Sequence, residues 1–335
     1  MKSDKRPTSV TMDDVAQRAG VSRALVSIVV RGVPGASAAT RQRVLRAAQE
    51  LDYRPDRRAR LLGSNRSRLV GVVYGLHQEF HAEVVDGLYA AAEGTAYEVA
   101  LGASSPARSE QRAVSSLLDY RCDAVVLVGP ALPHASILDL ASRLPVVVVA
   151  RGLRSRAVDR VRTDDVAGIR LAVEHLAGLG HRDIAHLDGR RAPGTAQRRS
   201  GYLAALEDLG LAAHARIVAG GLLEEDGERA ARELLGPGAP TALAAFNDHC
   251  AAGVLAVARE RGFRVPGDLS VMGYDDSRIA GLSGVALTTV AQDATSLAAA
   301  AWRLAVARAE DPGLAMSEVV VPPRLVVRRT TAPPA

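Results

Sequence analysis

The chain has 335 residues and a mass of 35.1 kDa, so at roughly 100–200 residues per domain we expect two or three domains with a sizeable core. Its 48% apolar and 24% charged residues exclude a disordered or fibrous protein. The sequence has no apolar run near ~20 residues and no apolar core of a signal peptide, so we expect a cytoplasmic protein. The net charge of +5 divides into +9 over residues 1–68, with 15 Lys and Arg against 6 Asp and Glu, and −4 over the remainder, which indicates a polyanion-binding module or a solvated basic face.

Two short helices joined by a tight turn are predicted near the amino terminus. Apolar residues recur at helical spacing after Thr11, which can cap the first helix with Asp14 as its partner in a capping box. Gly20 ends that helix, and Ser22 can cap a second one that runs to residue 30. A small residue, a glycine and an aliphatic residue stand at the spacing of a helix-turn-helix, namely Ala16, Gly20 and Val26. A third helix is predicted after Ser37, and its inner face is expected to hold Val44, Leu45, Ala48 and Leu51.

The second helix of such a motif enters the major groove, so its outward side chains should read DNA. Those side chains are Ser22, Arg23, Ala24, Ser27 and Ile28. Arg23 is the strongest candidate, because arginine makes the commonest specific base contact, a bidentate pair with guanine. The alternative for Arg23 is a phosphate contact or a solvated position. Ala24 and Ser27 are small enough to touch thymine methyl groups or phosphates.

A basic segment follows at residues 54–63. Pro55 can begin a helix and Gly63 can end one, which leaves two turns that should order only against phosphate. Leu61 or Leu62 would then be an apolar wedge for a base step of the minor groove. A charged linker is the alternative, and residues 64–68 are expected to form a flexible tether.

From residue 69 onward, short apolar runs alternate with helical patterns, which is typical of βα units and parallel sheets. The predicted strands are 69–74, 98–102, 124–128, 146–150, 184–187, 217–219, 242–246, 271–274, 287–290, 319–321 and 325–327. They are too many for one small sheet, and they divide near residues 160–163. We therefore expect an α/β core of two doubly wound lobes with a ligand cleft at the carboxyl ends of the strands.

Motifs of enzymes and metal sites are missing from the sequence. It has no dinucleotide-binding glycine motif, phosphate-binding loop, zinc-protease motif or nucleophile elbow. His175, His181 and His186 lack a regular ligand spacing, and Cys122 and Cys250 lie far apart without a C-x-x-C partner. We therefore predict no catalytic residue, no metal site and no cofactor.

Ordered motifs recur along nearly the whole chain. The front carries Met12-Asp13-Asp14-Val15-Ala16, Ala19-Gly20-Val21-Ser22 and Leu51-Asp52-Tyr53-Arg54-Pro55. The body carries Leu179-Gly180-His181-Arg182-Asp183, Arg198-Arg199-Ser200-Gly201-Tyr202, Phe246-Asn247-Asp248 and Val271-Met272-Gly273-Tyr274-Asp275-Asp276. Together these motifs resemble the lactose/galactose repressor (LacI/GalR) family of bacterial transcription regulators.

The resemblance implies a division into three parts. They are a small all-α helix-turn-helix headpiece over residues 1–54, a hinge helix and linker over 55–68, and a two-lobed, periplasmic-binding-protein-like core over 69–335. Lobe 1 would comprise about 69–162 plus 291–321, and lobe 2 about 163–290 plus 322–330.

It also implies a homodimer on a near-palindromic DNA operator, with Leu62 of each hinge in the minor groove and Arg57 and Ala59 beside it. The tail, residues 330–335, contains no heptad, which favours a dimer over a tetramer.

The resemblance further implies a small-molecule effector, a sugar or related metabolite, between the lobes. Its binding residues would be Phe80, Arg151, Arg198, Asn247 and Asp275. The alternatives are turns at strand ends for Asn247 and Asp275 and a surface ion pair for Arg198.

Two positions depart from the family pattern. Its recognition helix usually has an arginine where this chain has Ile28, which cannot pair with guanine, so the operator core should differ and Arg23 and Arg31 should take over contacts. No aromatic residue follows Gln292, and the chain is only 3% aromatic, so a stacked sugar is less expected than the site itself.

The sequence therefore predicts a bacterial cytoplasmic repressor whose DNA affinity responds to a ligand and which lies on the nucleoid when bound to DNA. A solute-binding protein of a transport system would share the core but leaves the basic front unexplained. An α/β enzyme would need a catalytic motif.

Overall fold

The computed structural model describes residues 10–30, 33–53, 66–153 and 155–335, and the chain forms two compact units, Met1–Ser67 and Arg68–Ala335. Several predicted positions lie outside the described residues, namely Arg31, Pro55, Arg57, Ala59, Leu61, Leu62 and Gly63.

The described residues of the first unit form three helices, α1 (Met12–Ala19), α2 (Arg23–Val30) and α3 (Ala38–Glu50). The capping box at α1 is present, since Thr11 Oγ1 accepts from the Asp14 N–H while Asp14 Oδ2 accepts from the Thr11 N–H at 2.7 Å. Gly20 ends α1 with φ +63°, a left-handed conformation that glycine adopts without strain. The predicted helix-turn-helix is therefore confirmed.

The core of the first unit is apolar and small. Its buried residues are Val15, Ala16, Ala19, Val26, Val29, Val44 and Ala47. The prediction that Leu45 faces this core is wrong, because its side chain is 52% exposed. The inner stripe of α3 runs through Val44, Ala47, Ala48 and Leu51, at the i, i+3, i+4 and i+7 positions of one helix face, and Leu45 lies off that stripe.

The second unit alternates strands and helices along most of its described length. Its strands are β1 (Leu69–Gly75), β2 (Glu98–Ser104), β3 (Ala124–Val128), β4 (Val146–Val149), β5 (Asp159–Thr163), β6 (Ile184–Asp188), β7 (Arg216–Ala219), β8 (Ala242–Ala244), β9 (Ser270–Asp275), β10 (Thr288–Ala291), β11 (Glu318–Val321) and β12 (Arg324–Val326). Its helices are α4 (Glu79–Ala92), α5 (Glu110–Asp119), α6 (His134–Ala141), α7 (Asp165–Gly178), α8 (Thr195–Asp208), α9 (Glu224–Leu234), α10 (Asp248–Glu260), α11 (Arg278–Gly281) and α12 (Ala294–Glu310), with a 3₁₀ turn at Ala212–His214.

Two six-stranded sheets define two lobes. Lobe 1 is built on the order β11-β5-β4-β3-β1-β2 and lobe 2 on β12-β10-β9-β8-β6-β7. Neighbouring strands are parallel throughout except for the antiparallel pair of β10 and β12. The chain passes between the lobes three times, after β5, after β10 and after β11. The predicted fold class of two doubly wound lobes is confirmed.

Helices cover both faces of each sheet, as the near-continuous apolar strands require. In lobe 1, α4 and α12 bury one face and α5 and α6 the other. In lobe 2, α7 and α8 pack on one face and α9 and α10 on the other. No helix in the described ranges is long and apolar enough to cross a membrane.

Strand β5 lies where the sequence pattern predicts only the division between the lobes. Its residues alternate buried and half-buried, and the buried Asp159 is 1% exposed. Arg308 of α12 pairs with that carboxylate, its Nε lying 2.9 Å from Oδ2, and the Ser317 N–H donates to Oδ1 at 2.7 Å. A buried charge in a strand is stable only with such partners, and these lie about 150 positions further along the chain.

Candidate functional site

Helix α2 presents the predicted DNA-reading residues on its outer side. Ser22, Arg23 and Ala24 are exposed, while Ser27 and Ile28 are half-buried. The opposite side of the helix is anchored in the three-helix core by Val26 and Val29. The described part of this unit therefore offers a rigid helix whose first turn is open to a partner.

Arg23 is the exposed cation of that turn. Its Nε lies 3.8 Å from Oδ1 of Asp13, and both side chains are about 70% exposed. An exposed ion pair of this kind is stable by only ~0–1 kcal/mol, so it does not prevent the guanidinium of Arg23 from binding a polyanion. Ile28 lies beside Gly35 and is half-buried.

A cavity of about 920 Å³ separates the two lobes of the second unit. It lies at the carboxyl ends of the strands of both sheets, where doubly wound folds bind ligands. Lobe 1 lines it with His77, Gln78, Ser104, Ser105, Arg108, Ala131 and Leu132 among others, and lobe 2 with Gly189, Arg190, Gly221, Leu222, Glu224 and His249 among others.

Arg198 of α8 is buried against two aromatic rings. Its guanidinium carbon lies 3.5 Å from the centre of the Tyr274 ring and 4.5 Å from that of Phe246. Its Nε donates to Asp165 Oδ1 at 2.8 Å, and its Nη1 donates to the Phe246 carbonyl oxygen. The side chain is thus oriented by four contacts and is not the surface ion pair weighed as the alternative.

Asp275 ends strand β9 close to that guanidinium. Gln292 donates to its Oδ1 at 2.7 Å, and its other oxygen has no hydrogen bond within the described ranges. Burial raises the pKa of Asp275, and the charge of Arg198 offsets part of that rise. Burial and the charge of Asp275 also raise the pKa of Asp248, although Ser277 donates two hydrogen bonds to it. The structure therefore brings Arg198 and Asp275 together as a donor and an acceptor at one strand end, although neither side chain is among those that line the cavity.

Asn247 caps helix α10. Its Oδ1 accepts from the Cys250 N–H at 2.8 Å, and its Nδ2 donates to the Leu222 carbonyl oxygen at 3.0 Å. Since Leu222 lines the cavity, Asn247 fixes a part of the cleft wall.

Arg151 has a similar supporting place in lobe 1. Its Nη1 donates to the carbonyl oxygens of Pro130 and Leu132 at 2.8 and 2.7 Å. These bonds join the loop after β4 to the loop after β3 and support the lobe 1 wall.

Phe80 and His81 are both buried at the start of α4 but have different surroundings. Phe80 is buried in the core of lobe 1. His81 Nδ1 accepts from the Gly75 N–H at 3.0 Å, and its ring lies so close to Gly129 that a side chain there would overlap it. Burial lowers the pKa of His81 to about 4, so the ring is neutral and carries its proton on Nε2. An N–H donor therefore lies at the ends of β1 and β3, one residue after the aromatic that the sequence suggests.

Comparison with known proteins covers both units. The family model of bacterial regulatory proteins, lacI family, matches residues 11–56, and that of the periplasmic binding protein-like domain matches residues 173–331. The HTH-type transcriptional regulator GalR of Escherichia coli (strain K12) is 34% identical over 331 residues, which cover 97% of this chain and 96% of that protein. The chain belongs to the lacI family of bacterial regulatory proteins. The predicted family and the prediction of a regulator rather than an enzyme are confirmed.

Solved structures of this family share the whole architecture. The lac repressor dimer bound to operator and the anti-inducer ONPF has a TM-score of 0.85 at 29% identity, covering 97% of this chain and all of that one. The complex of the transcriptional regulator CelR with cellobiose has a TM-score of 0.70 at 30% identity, covering 96% of this chain and 99% of that one.

Proposed function

We propose that this lacI-family protein is a repressor whose affinity for an operator is set by a small molecule, a sugar or related metabolite, bound between its lobes. One observation carries the proposal: a single chain joins an exposed reading helix on a packed three-helix unit to a two-lobed unit with a cavity of about 920 Å³. A solute-binding protein does not need the three-helix unit with its reading helix. An enzyme would need catalytic groups in addition to either unit.

DNA recognition is assigned to the outer side of α2. Arg23 reads a base edge in the major groove, with Ser22, Ala24, Ser27 and Ile28 beside it. Ile28 suits the methyl group of thymine rather than guanine, because its side chain has no hydrogen-bond donor. The predicted contacts of Arg31, Arg57, Ala59 and Leu62 stay part of the proposal.

Effector recognition is assigned to the strand ends that meet at the cleft. Arg198 and Asp275 supply a donor and an acceptor for hydroxyl groups, and His81 supplies an N–H from lobe 1. Asn247 and Arg151 hold the walls in place. Phe80 supports lobe 1 from its core rather than contacting the effector.

Regulation follows from the two-lobed design. An effector that binds one arrangement of the lobes more tightly shifts the population toward it. If that arrangement favours the operator, the effector is a corepressor, and in the opposite case it is an inducer. We further propose that the protein acts as a homodimer on a near-palindromic site in the bacterial cytoplasm, on the nucleoid when bound.

Genomic footprinting with the purified chain tests the proposal, followed by anisotropy titrations of the recovered operator with a panel of sugars. We expect a compact, near-palindromic footprint and at least one sugar that changes the operator affinity. Binding without sequence preference would contradict the proposal of a specific operator. If no sugar or related metabolite of the panel changed the operator affinity, the proposed class of effector would be wrong.

A further inference from the structure

A histidine of lobe 2 lies between carboxylates of both lobes. His249 is the second residue of α10, and its Nδ1 lies 2.7 Å from Oε1 of Glu224, the first residue of α9. Its Nε2 lies 3.4 Å from Oε2 of Glu79, the first residue of α4 in lobe 1. Because His249 and Glu224 also line the cavity, one imidazole ring joins the two walls of the cleft.

The chemistry of this arrangement requires a proton. Both ring nitrogens face carboxylate oxygens, which only accept hydrogen bonds when they are ionised. A neutral imidazole has one N–H and one lone pair, so one of its nitrogens would set a lone pair against a carboxylate. The imidazolium donates on both sides. Nε2 of His249 and Oε2 of Glu79 are shielded from solvent and have no hydrogen-bond partner within the described ranges, so the ring proton is what would satisfy them.

We propose that His249 is a proton-operated latch between the lobes: the protonated ring holds Glu79 to Glu224, and loss of the proton releases lobe 1 from lobe 2. The distance to Glu79 is longer than the ~2.7–2.9 Å of a charge-assisted hydrogen bond, so a lobe movement of about half an ångström completes the latch. The latch deepens the proposed function, since the arrangement of the lobes is what the effector is proposed to change.

The charged groups that act on His249 come from every side. They include Glu224 on α9, Glu79 on α4, Asp248 on its own helix and Asp275 at the end of β9. Burial lowers the pKa of His249, but the hydrogen bond to Glu224 and the neighbouring carboxyl groups outweigh it, so that the pKa lies above its ordinary value of 6.5. The latch therefore forms as the pH falls through the raised pKa and is lost as the pH rises through it.

A nuclear magnetic resonance titration of ¹³C-histidine in the full-length protein tests the contact between the lobes. His249→Gln identifies the resonance. We expect Glu79→Gln and Glu224→Gln each to lower the His249 midpoint by about one pH unit or more. Asp86→Asn removes an exposed carboxylate from the same helix as Glu79 and should leave the midpoint unchanged. An unchanged midpoint in Glu79→Gln would overturn the proposal, because His249 would then belong to lobe 2 alone.

Small-angle scattering across pH ~5.5–8.5 tests the release of the lobes. The wild-type protein should become more compact as the pH falls, and His249→Gln should abolish that change. His77→Gln is the matched control, since His77 lines the same cavity and is exposed. A pH response that survives in His249→Gln would exclude the latch. Neither experiment needs an effector, so a failure of the latch and a failure of the proposed effector site are distinguishable.

Discussion

The two arginines proposed for recognition, Arg23 and Arg198, lie in opposite environments. Of the 42 basic residues only Lys2 and Lys5 are lysines, so the described DNA-reading unit depends on arginine, whose planar fork suits bidentate contact with guanine or phosphate. Arg23 stands open on the surface, whereas Arg198 is buried and locked by Asp165 and two rings. We propose that Arg23 contacts DNA from this exposed position and that Arg198 contacts a small ligand.

Replacing Arg23 tests base reading. Arg23→Ala should cost about 1–3 kcal/mol on the cognate operator and relax the preference at one base pair, because a bidentate contact is lost. Binding to a library of operators with single substitutions measures both effects. The control is Arg43→Ala, which removes an exposed arginine from α3. An equal loss on every sequence would identify Arg23 as a phosphate contact instead.

Replacing Asp275 tests the effector site. Asp275→Asn keeps the shape but removes the charge, so a hydrogen bond worth about 1.5–3 kcal/mol weakens and the effector should bind about 10- to 100-fold less tightly. Operator affinity without effector should not change. Glu225→Gln, at an exposed position that lines the cavity, should respond as the wild type does. An undiminished response of Asp275→Asn would remove this residue from the site.

At the scale of elements, the packing of α9 on α10 sets the geometry of the cleft wall. Two glycines allow these helices to touch backbone to backbone: a side chain at Gly227 would overlap the carbonyl group of Cys250, and one at Gly253 that of Glu224. Since α9 begins at Glu224 and α10 carries His249 in its first turn, the close approach also places these two residues together.

Filling that contact should destabilise lobe 2. Gly227→Ala forces the two backbones apart, which should cost about 1–3 kcal/mol and lower the melting temperature measured by calorimetry. Gly178→Ala, near the end of α7, meets no neighbour within 4 Å and should be neutral or gain up to ~1 kcal/mol. Equal melting temperatures for the two variants would contradict the packing of α9 on α10.

At the scale of the whole molecule, the net positive charge lies in the first part of the sequence and the net negative charge in the remainder. The first 68 residues carry +9 and the rest −4. The basic part attracts the phosphate backbone, whereas the acidic body adds no attraction of its own for DNA. A net charge of +5 therefore describes neither part.

This segregation predicts two different responses to salt. Raising salt from ~50 to ~200 mM should weaken operator binding by about 10³–10⁵-fold, because bound phosphates release counterions. Effector binding should change little, since Arg198 and Asp275 act at short range out of bulk solvent. Anisotropy for the operator and calorimetry for the effector measure the two. A steep loss of effector binding would place an ionic group on the ligand, and a flat operator curve would contradict the phosphate contacts.

The features that could be read from the sequence are local ones. A cap, a turn or an amphipathic stripe depends on residues within about seven positions of one another, so Thr11, Gly20 and Ser37 predict the ends of their helices correctly. The apolar runs likewise predict eleven of the twelve strands in the described ranges, because parallel strands covered on both faces are nearly continuously apolar. The family motifs then point to the residues near the strand ends.

The remaining features depend on which surfaces meet when the chain folds. In strand β5 the buried Asp159 pairs with Arg308, which lies far along the chain. Leu45 is exposed, because α3 packs on the core of the first unit with the neighbouring face of the helix. The docking angle of α4 turns Phe80 inward and His81 to the strand ends. The ion pair between Glu79 and His249 joins the two lobes, although the two residues lie 170 positions apart in the sequence. No periodicity within either helix predicts this contact. The sequence by itself therefore determines local hydrogen bonding and the periodicity of helices and strands. The orientation of each buried polar side chain and its partner are decided only by the packing of the folded chain.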